Sequence, residues 1–130
     1  MMPVTALYAG LLALLFVVLS IRVIAVRRGA RISVGDGGDT TLLRRMRVHA
    51  NFAEYVPMAL ILIGLAESLK TDPRLLHGLG VLLLVGRVVH ATGMSLPKES
   101  LPMRVAGMVS TFTVLIGGAL ACLWALANRI

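Results

Sequence analysis

The stretch Arg44–Pro57, RRMRVHANFAEYVP, leads into an apolar segment and decides how the chain has to fold. The uninterrupted apolar run at its end, Val56–Ala66, has only 11 residues. A helix needs about 20 residues to cross a hydrocarbon core of about 30 Å. If this segment crosses, the polar residues before the run, including Asn51 and Glu54, must enter the membrane with it.

The composition predicts a membrane protein rather than a soluble domain. The 130 residues are 58% hydrophobic and have a mean hydropathy of +0.89, well above the values of ordinary globular domains. Helix-start signals at Asp39 or Thr40, at Thr71–Pro73 and at Ser100–Pro102 separate the apolar stretches. We therefore predict an all-α membrane protein, a single domain over residues 1–130 with a four-helix transmembrane up-down bundle. Its spans are expected at about Val4–Val26, Val48–Leu69, Leu75–Met94 and Val105–Ala127.

The distribution of charge predicts the orientation of the chain. The 13 Lys and Arg residues outnumber the six acids, and most of them flank the first and third loops. Cytoplasmic loops are enriched in basic residues, so these loops are expected in the cytoplasm and both termini outside. The short, compact loops and the absence of an organellar presequence indicate a bacterial inner membrane. A nucleic-acid partner is not expected, because no basic face with stacking aromatics lies outside the spans.

Two sets of polar side chains are predicted to meet inside the bundle. Arg47, Asn51 and Glu54 are spaced i, i+4, i+7 and share one stripe of helix two. Arg87 and His90 lie at a similar depth on helix three, which runs in the opposite direction. Charged residues inside a membrane are costly and usually mark a site. The sequence leaves open an Arg87–Glu54 ion pair that only locks the two helices together.

Positive charge remains after Glu54 is matched, and it favours an anionic ligand. Arg104 is expected in the first turn of helix four, where a guanidinium adds to the positive end of the helix dipole. If the anion is a thiolate, this field lowers the pKa of the thiol. Arg104 as a cytoplasmic topology anchor stays an alternative. No metal site is predicted, because the histidines and Glu54 lack a ligand spacing.

The segment RVHANFAEYVP resembles the helix-two signature of the MAPEG family, membrane-associated proteins in eicosanoid and glutathione metabolism, whose pattern is roughly R-x-x-x-N-x-x-E-x-x-P. AVRRGARIS with EYVP is similar to the leukotriene synthase and lipoxygenase-activating branch, and GRVVH at Gly86–His90 to the microsomal prostaglandin synthase branch. The resemblance implies a homotrimer that binds glutathione, as co-substrate, between subunits near the cytoplasmic boundary.

The resemblance also implies roles for individual residues. Arg104 resembles the arginine that activates the glutathione thiol and is the candidate catalytic residue. Active members carry a tyrosine one turn beyond His90, where this chain has Met94. The implied glutathione-binding residues are Arg27, Arg47, His49, Asn51, Glu54, Tyr55, Arg87 and His90.

Three functions follow from these features. The first is a glutathione-dependent membrane transferase or peroxidase-like enzyme acting on hydrophobic electrophiles. The second, favoured by Met94, is a non-catalytic protein of the same fold that binds lipid or glutathione. The third is a small anion exporter. A cation exporter would need an unpaired Glu54, and the surrounding arginines disfavour it.

Overall fold

The computed structural model describes residues 1–129 and is helical, with no strand in that range. All four helices are long and apolar enough to cross a membrane. The prediction of an all-α, four-span protein is confirmed. In chain order the helices are α1 (Pro3–Ala30), α2 (Thr40–Ser68), α3 (Pro73–Ser95) and α4 (Leu101–Ala127).

Three of the four helices begin at a capping side chain, as the sequence predicts. Asp39, Asp72 and Ser100 each accept a hydrogen bond from a backbone N–H of the following turn, at 2.9, 2.8 and 3.4 Å. These bonds satisfy donors that have no partner within a helix. Pro73 takes the first helical position of α3, where its missing N–H has no cost.

The start of α1 is held by a residue from a different helix. Glu67, near the end of α2, accepts the backbone N–H groups of Val4 and Thr5 at 2.9 and 2.7 Å and the Thr5 hydroxyl at 2.6 Å. A carboxylate stabilises the positive end of a helix dipole. This contact joins α1 and α2 at the end of the bundle opposite the first and third loops.

The helices pack around a central pair, α2 and α3. Helices α1 and α4 each pack against both α2 and α3, which also contact one another. Helix α1 is the least enclosed, since only 11% of its apolar span is buried. Large apolar side chains face outward, as expected for surfaces in contact with lipid. Among the most exposed within the helices are Leu14, Ile21, Ile116, Leu123 and Trp124.

Glycines let α3 and α4 approach closely near the third loop. A Cβ atom added at Gly86 would lie 2.7 Å from Cβ of Ser110, and one at Gly93 would lie 2.6 Å from Cβ of Met103. At Gly107 it would lie 2.5 Å from Cβ of His90. Small residues of this kind allow membrane helices to pack backbone against backbone. The close packing brings the polar residues of α3 next to the start of α4.

Candidate functional site

A buried arginine forms the centre of the polar cluster. Arg87 is 1% exposed, and its Nη2 donates a 2.6 Å hydrogen bond to Oδ1 of Asn51. Its Nη1 donates to Oγ1 of Thr111 at 3.3 Å, and the guanidinium lies 5.8 Å from the centre of the Phe52 ring. Helices α2, α3 and α4 thus hold one cation between them, as the antiparallel arrangement predicts for α2 and α3.

No carboxylate balances the charge of Arg87 within residues 1–129. Its remaining neighbours are Nδ1 of His90, 3.5 Å from Nη2, and the sulfur of Met108. The Nε atom is buried and makes no hydrogen bond in the part of the chain described. A buried charge is normally paired or fully hydrogen-bonded. Arg87 therefore holds donor capacity that suits an anion.

The ion pair between Arg87 and Glu54 that the sequence leaves open is not formed. Arg87 meets Asn51 instead, and Asn51 lies about 60° around the helix from Glu54. Arg47 and Glu54 are both exposed on the single chain, on the outer side of α2. The predicted stripe therefore divides, with the amide turned into the bundle and the two charges turned away from it.

A cavity of about 350 Å³ opens beside the cluster, between α2, α3 and α4. Its polar lining is formed by Asn51, His90 and Arg104. His90 is 4% exposed and thus belongs to the enclosed part. The apolar lining is formed by Leu101, Val105, Met108, Val109 and Phe112, most of which also face outward. The cavity consequently has a polar floor and an apolar mouth that opens toward lipid.

Arg104 and Tyr55 flank this cavity. Arg104 lies in the first turn of α4, as predicted, and forms an ion pair with Glu99 of the preceding loop. The Tyr55 ring stands edge-on to Phe112 at the mouth, with 5.5 Å between ring centres. These two candidates, together with Asn51, Arg87 and His90, come from one subunit and lie around one site.

Arg27 and His49 lie on the other side of the bundle. Nη1 of Arg27 donates to the Gly35 carbonyl at 2.7 Å, so this arginine holds the first loop. His49 stacks on Phe16 of α1, with 4.6 Å between ring centres, and its Nε2 is 3.0 Å from Oγ of Ser20. Since α1 packs against α2 and α3 but not α4, one subunit does not bring these residues to Arg104.

Comparison with known proteins settles the family. The sequence profile of the MAPEG family matches residues 5–124. The chain belongs to the MAPEG family. It is 36% identical over 121 residues to Inner membrane protein YecN of Escherichia coli (strain K12), which covers 93% of this chain and 91% of the relative. Inner membrane protein YecN of Escherichia coli O6:H1 (strain CFT073) matches to the same extent.

The four apolar helices and the similarity to an inner membrane protein together identify this MAPEG protein as an integral inner membrane protein. No group of three or more His, Cys, Asp or Glu side chains with metal-binding geometry occurs in residues 1–129.

Three residues around Arg87 and the cavity were not predicted from the sequence. Thr111 is one of three hydroxyl residues between Val109 and Val114, and the sequence does not distinguish it from Ser110 and Thr113. It is fully buried and accepts a hydrogen bond from Arg87. Phe112 gave no signal beyond hydrophobicity. Glu99 lies one residue before the Ser100 cap, and its position five residues before Arg104 was the available signal for an ion pair.

Proposed function

We propose that this MAPEG protein is a glutathione-dependent transferase or peroxidase-like enzyme that acts on hydrophobic electrophiles dissolved in the bilayer. Arg87 carries the proposal, because it is a buried cation with no carboxylate partner in residues 1–129 and with a free Nε donor. Arginine holds carboxylates through paired hydrogen bonds. Glutathione has two carboxylates and a thiol, and its charge matches a site rich in guanidinium groups.

Arg104 is the residue proposed to activate the thiol. Its guanidinium lines the cavity and adds its charge to the positive end of the α4 dipole. Such a field lowers the pKa of a thiol from about 8.5 toward neutrality, so that the proton leaves to water at the membrane surface. The sulfur of the thiolate then forms a bond to the electrophilic atom, and the displaced electron pair goes to the leaving group.

The apolar mouth supports a hydrophobic second substrate. Leu101, Val105, Val109 and Phe112 are 63%, 51%, 57% and 45% exposed and line the route from the surface of α4 to the polar floor. A molecule dissolved in lipid reaches the floor along this route without crossing water. The reacting group of the electrophile would thus meet the thiolate near Arg104.

The outward charges of α2 support a homotrimer. Arg47 and Glu54 are exposed on a single chain and lie about 10 Å apart along a helix that crosses the membrane. Charges in contact with lipid are strongly disfavoured. A neighbouring copy would cover them, and with Arg27 from that copy they would complete a glutathione site between subunits. The site would lie at the cytoplasmic boundary, with loops one and three in the cytoplasm and both termini outside.

A non-catalytic protein that binds glutathione or lipid is the second candidate, and Met94 favours it. Met94 is 8% exposed and lines a separate cavity with Arg44 and Arg45. It offers no hydroxyl to a ligand. The loss of a hydroxyl removes one hydrogen bond to a substrate and lowers its affinity without changing the fold.

Calorimetry of glutathione binding to the detergent-purified protein tests the proposal. Arg47→Ala and Glu54→Ala each remove one partner from an intersubunit charge network, and each is expected to cost about 2–5 kcal/mol of binding free energy. Arg28→Ala is the matched control, because Arg28 is an exposed arginine outside the proposed site. Equal affinities in all four proteins would contradict the proposed site.

A further inference from the structure

The Arg104 guanidinium already has an anionic partner within the chain. Glu99 and Arg104 form the only ion pair found in residues 1–129, and their side chains are 33% and 40% exposed. Arg104 also lines the cavity with Asn51 and His90. The Glu99 carboxylate therefore contacts the same guanidinium that the proposed function assigns to the thiolate.

The loop that carries Glu99 is fixed on both sides. The backbone N–H of Ser100 donates to the Gly93 carbonyl at 3.0 Å. On the other side, Nη1 of Arg44 donates to the carbonyls of Leu96 and Pro97 at 3.3 and 3.2 Å. Because the backbone on both sides of Glu99 is held by these hydrogen bonds, the Glu99 side chain is kept close to Arg104.

We infer that Glu99 competes with the incoming anion for the guanidinium of Arg104 at the cavity. This inference rests on the proposed function and deepens it. A partly exposed ion pair is weak, so a ligand displaces it at a cost of only a few-fold in affinity. A small free anion has no other contact to offset that cost, whereas glutathione would also contact other residues of the proposed site, such as Asn51. Glu99 thereby disfavours small free anions a few-fold relative to the thiolate of a glutathione molecule that other residues of the site also bind.

The competition also sets the potential that the thiol experiences. While the carboxylate stays near Arg104, it offsets part of the positive charge that lowers the thiol pKa. Glu99→Gln removes this charge and keeps the shape of the side chain. In that variant the thiol pKa of bound glutathione falls further, and the rising limb of the pH–rate profile moves to lower pH.

Chemical labelling of Arg104 tests the inference without any ligand. Phenylglyoxal reacts with accessible, unpaired guanidinium groups, and mass spectrometry of peptides reports each arginine separately. In the intact protein, Glu99→Gln is expected to speed labelling of Arg104 by about 2–5-fold, the scale of a lost partly exposed pair. Glu99→Asp keeps the charge and is expected to stay close to the wild type.

Asp36→Asn is the control for net charge, because it removes one negative charge from the first loop, at the same end of the bundle. Unchanged labelling of Arg104 in Glu99→Gln, or an equal rise in Asp36→Asn, would overturn the inference. Glutathione should protect Arg104 in the wild type. If Glu99→Gln speeds labelling while glutathione protects neither protein, the role of Glu99 stands and the proposed function fails.

A double-mutant comparison separates competition for Arg104 from a merely structural role of Glu99. Glu99→Gln is expected to lower the KM for glutathione a few-fold and to shift the pH–rate profile, but neither effect should occur in the Arg104→Ala background. The same shift in that background would overturn the inference, because Glu99 would then act independently of Arg104.

Discussion

Nη2 of Arg87 on α3 donates a 2.6 Å hydrogen bond to Oδ1 of Asn51 on α2, in the interior of the bundle. The amide is neutral, so the bond fixes the guanidinium in place without cancelling its charge. A fixed, uncancelled cation behind the cavity that Asn51 and His90 line adds positive potential there, which favours an anion.

Removing the amide is expected to destabilise the protein. Asn51→Leu leaves the buried guanidinium without its shortest hydrogen bond, at an expected cost of about 2–3 kcal/mol. The double variant Asn51→Leu/Arg87→Met removes both polar partners and should recover much of the lost stability. Thermal unfolding in detergent measures the stability of the single and the double variant. An Asn51→Leu variant as stable as the wild type would show that the bond contributes nothing.

The close contact between α3 and the start of α4 gives a second prediction. A Cβ atom at Gly93 would lie 2.6 Å from Cβ of Met103 and 3.2 Å from the backbone N of Arg104. Gly93→Ala should therefore push the first turn of α4 outward, cost about 1–3 kcal/mol of stability and reduce conjugation by moving Arg104. The matched control is Gly78→Ala in the same helix, where a Cβ atom meets nothing within 4 Å.

Gly78→Ala should leave the melting temperature unchanged or raise it, since alanine is the better helix former. Equal effects of Gly78→Ala and Gly93→Ala would mean that the α3–α4 approach is not what positions Arg104.

The outward-facing charges of α2 give a prediction about assembly. Native mass spectrometry of the protein released from detergent is expected to show mainly trimers, because a lone subunit exposes Arg47 and Glu54 to lipid and the family resemblance implies three copies. Glu54→Lys places two like charges on that surface and should shift the population toward monomers. A wild type that is mainly monomeric, in detergent and after crosslinking in membranes, would remove the intersubunit site.

Much of the fold was predictable from local patterns in the sequence. The apolar runs indicated four spans, and Asp39, Asp72 and Ser100 marked the beginnings of three helices. The encounter of Asn51 with Arg87 and His90 followed from equal depth on antiparallel helices. These features depend on spacing along one helix, which the sequence contains directly.

The remaining features depend on how the helices are rotated and shifted against one another. A rotation of about 60° decides whether Asn51 or Glu54 meets Arg87, and the apolar pattern of a membrane helix is too uniform to fix it. Thr111 reaches Arg87 because Gly86 and Gly107 set the approach of α3 and α4. The contact of Glu99 with Arg104 depends on the conformation of a loop.

The most direct test of the central claim is the ultraviolet difference absorbance of the glutathione thiolate on binding to the purified protein at neutral pH. We expect a thiolate signal in the wild type and in Lys98→Ala. This control removes an exposed positive charge from the loop between α3 and α4, close to Arg104 in the sequence. Arg104→Ala should bind glutathione without the signal, conjugate a generic electrophile about 10²-fold more slowly, and need higher pH for activity. A wild type that binds glutathione but shows no thiolate signal and conjugates nothing at any pH would contradict the account and support the non-catalytic binding protein.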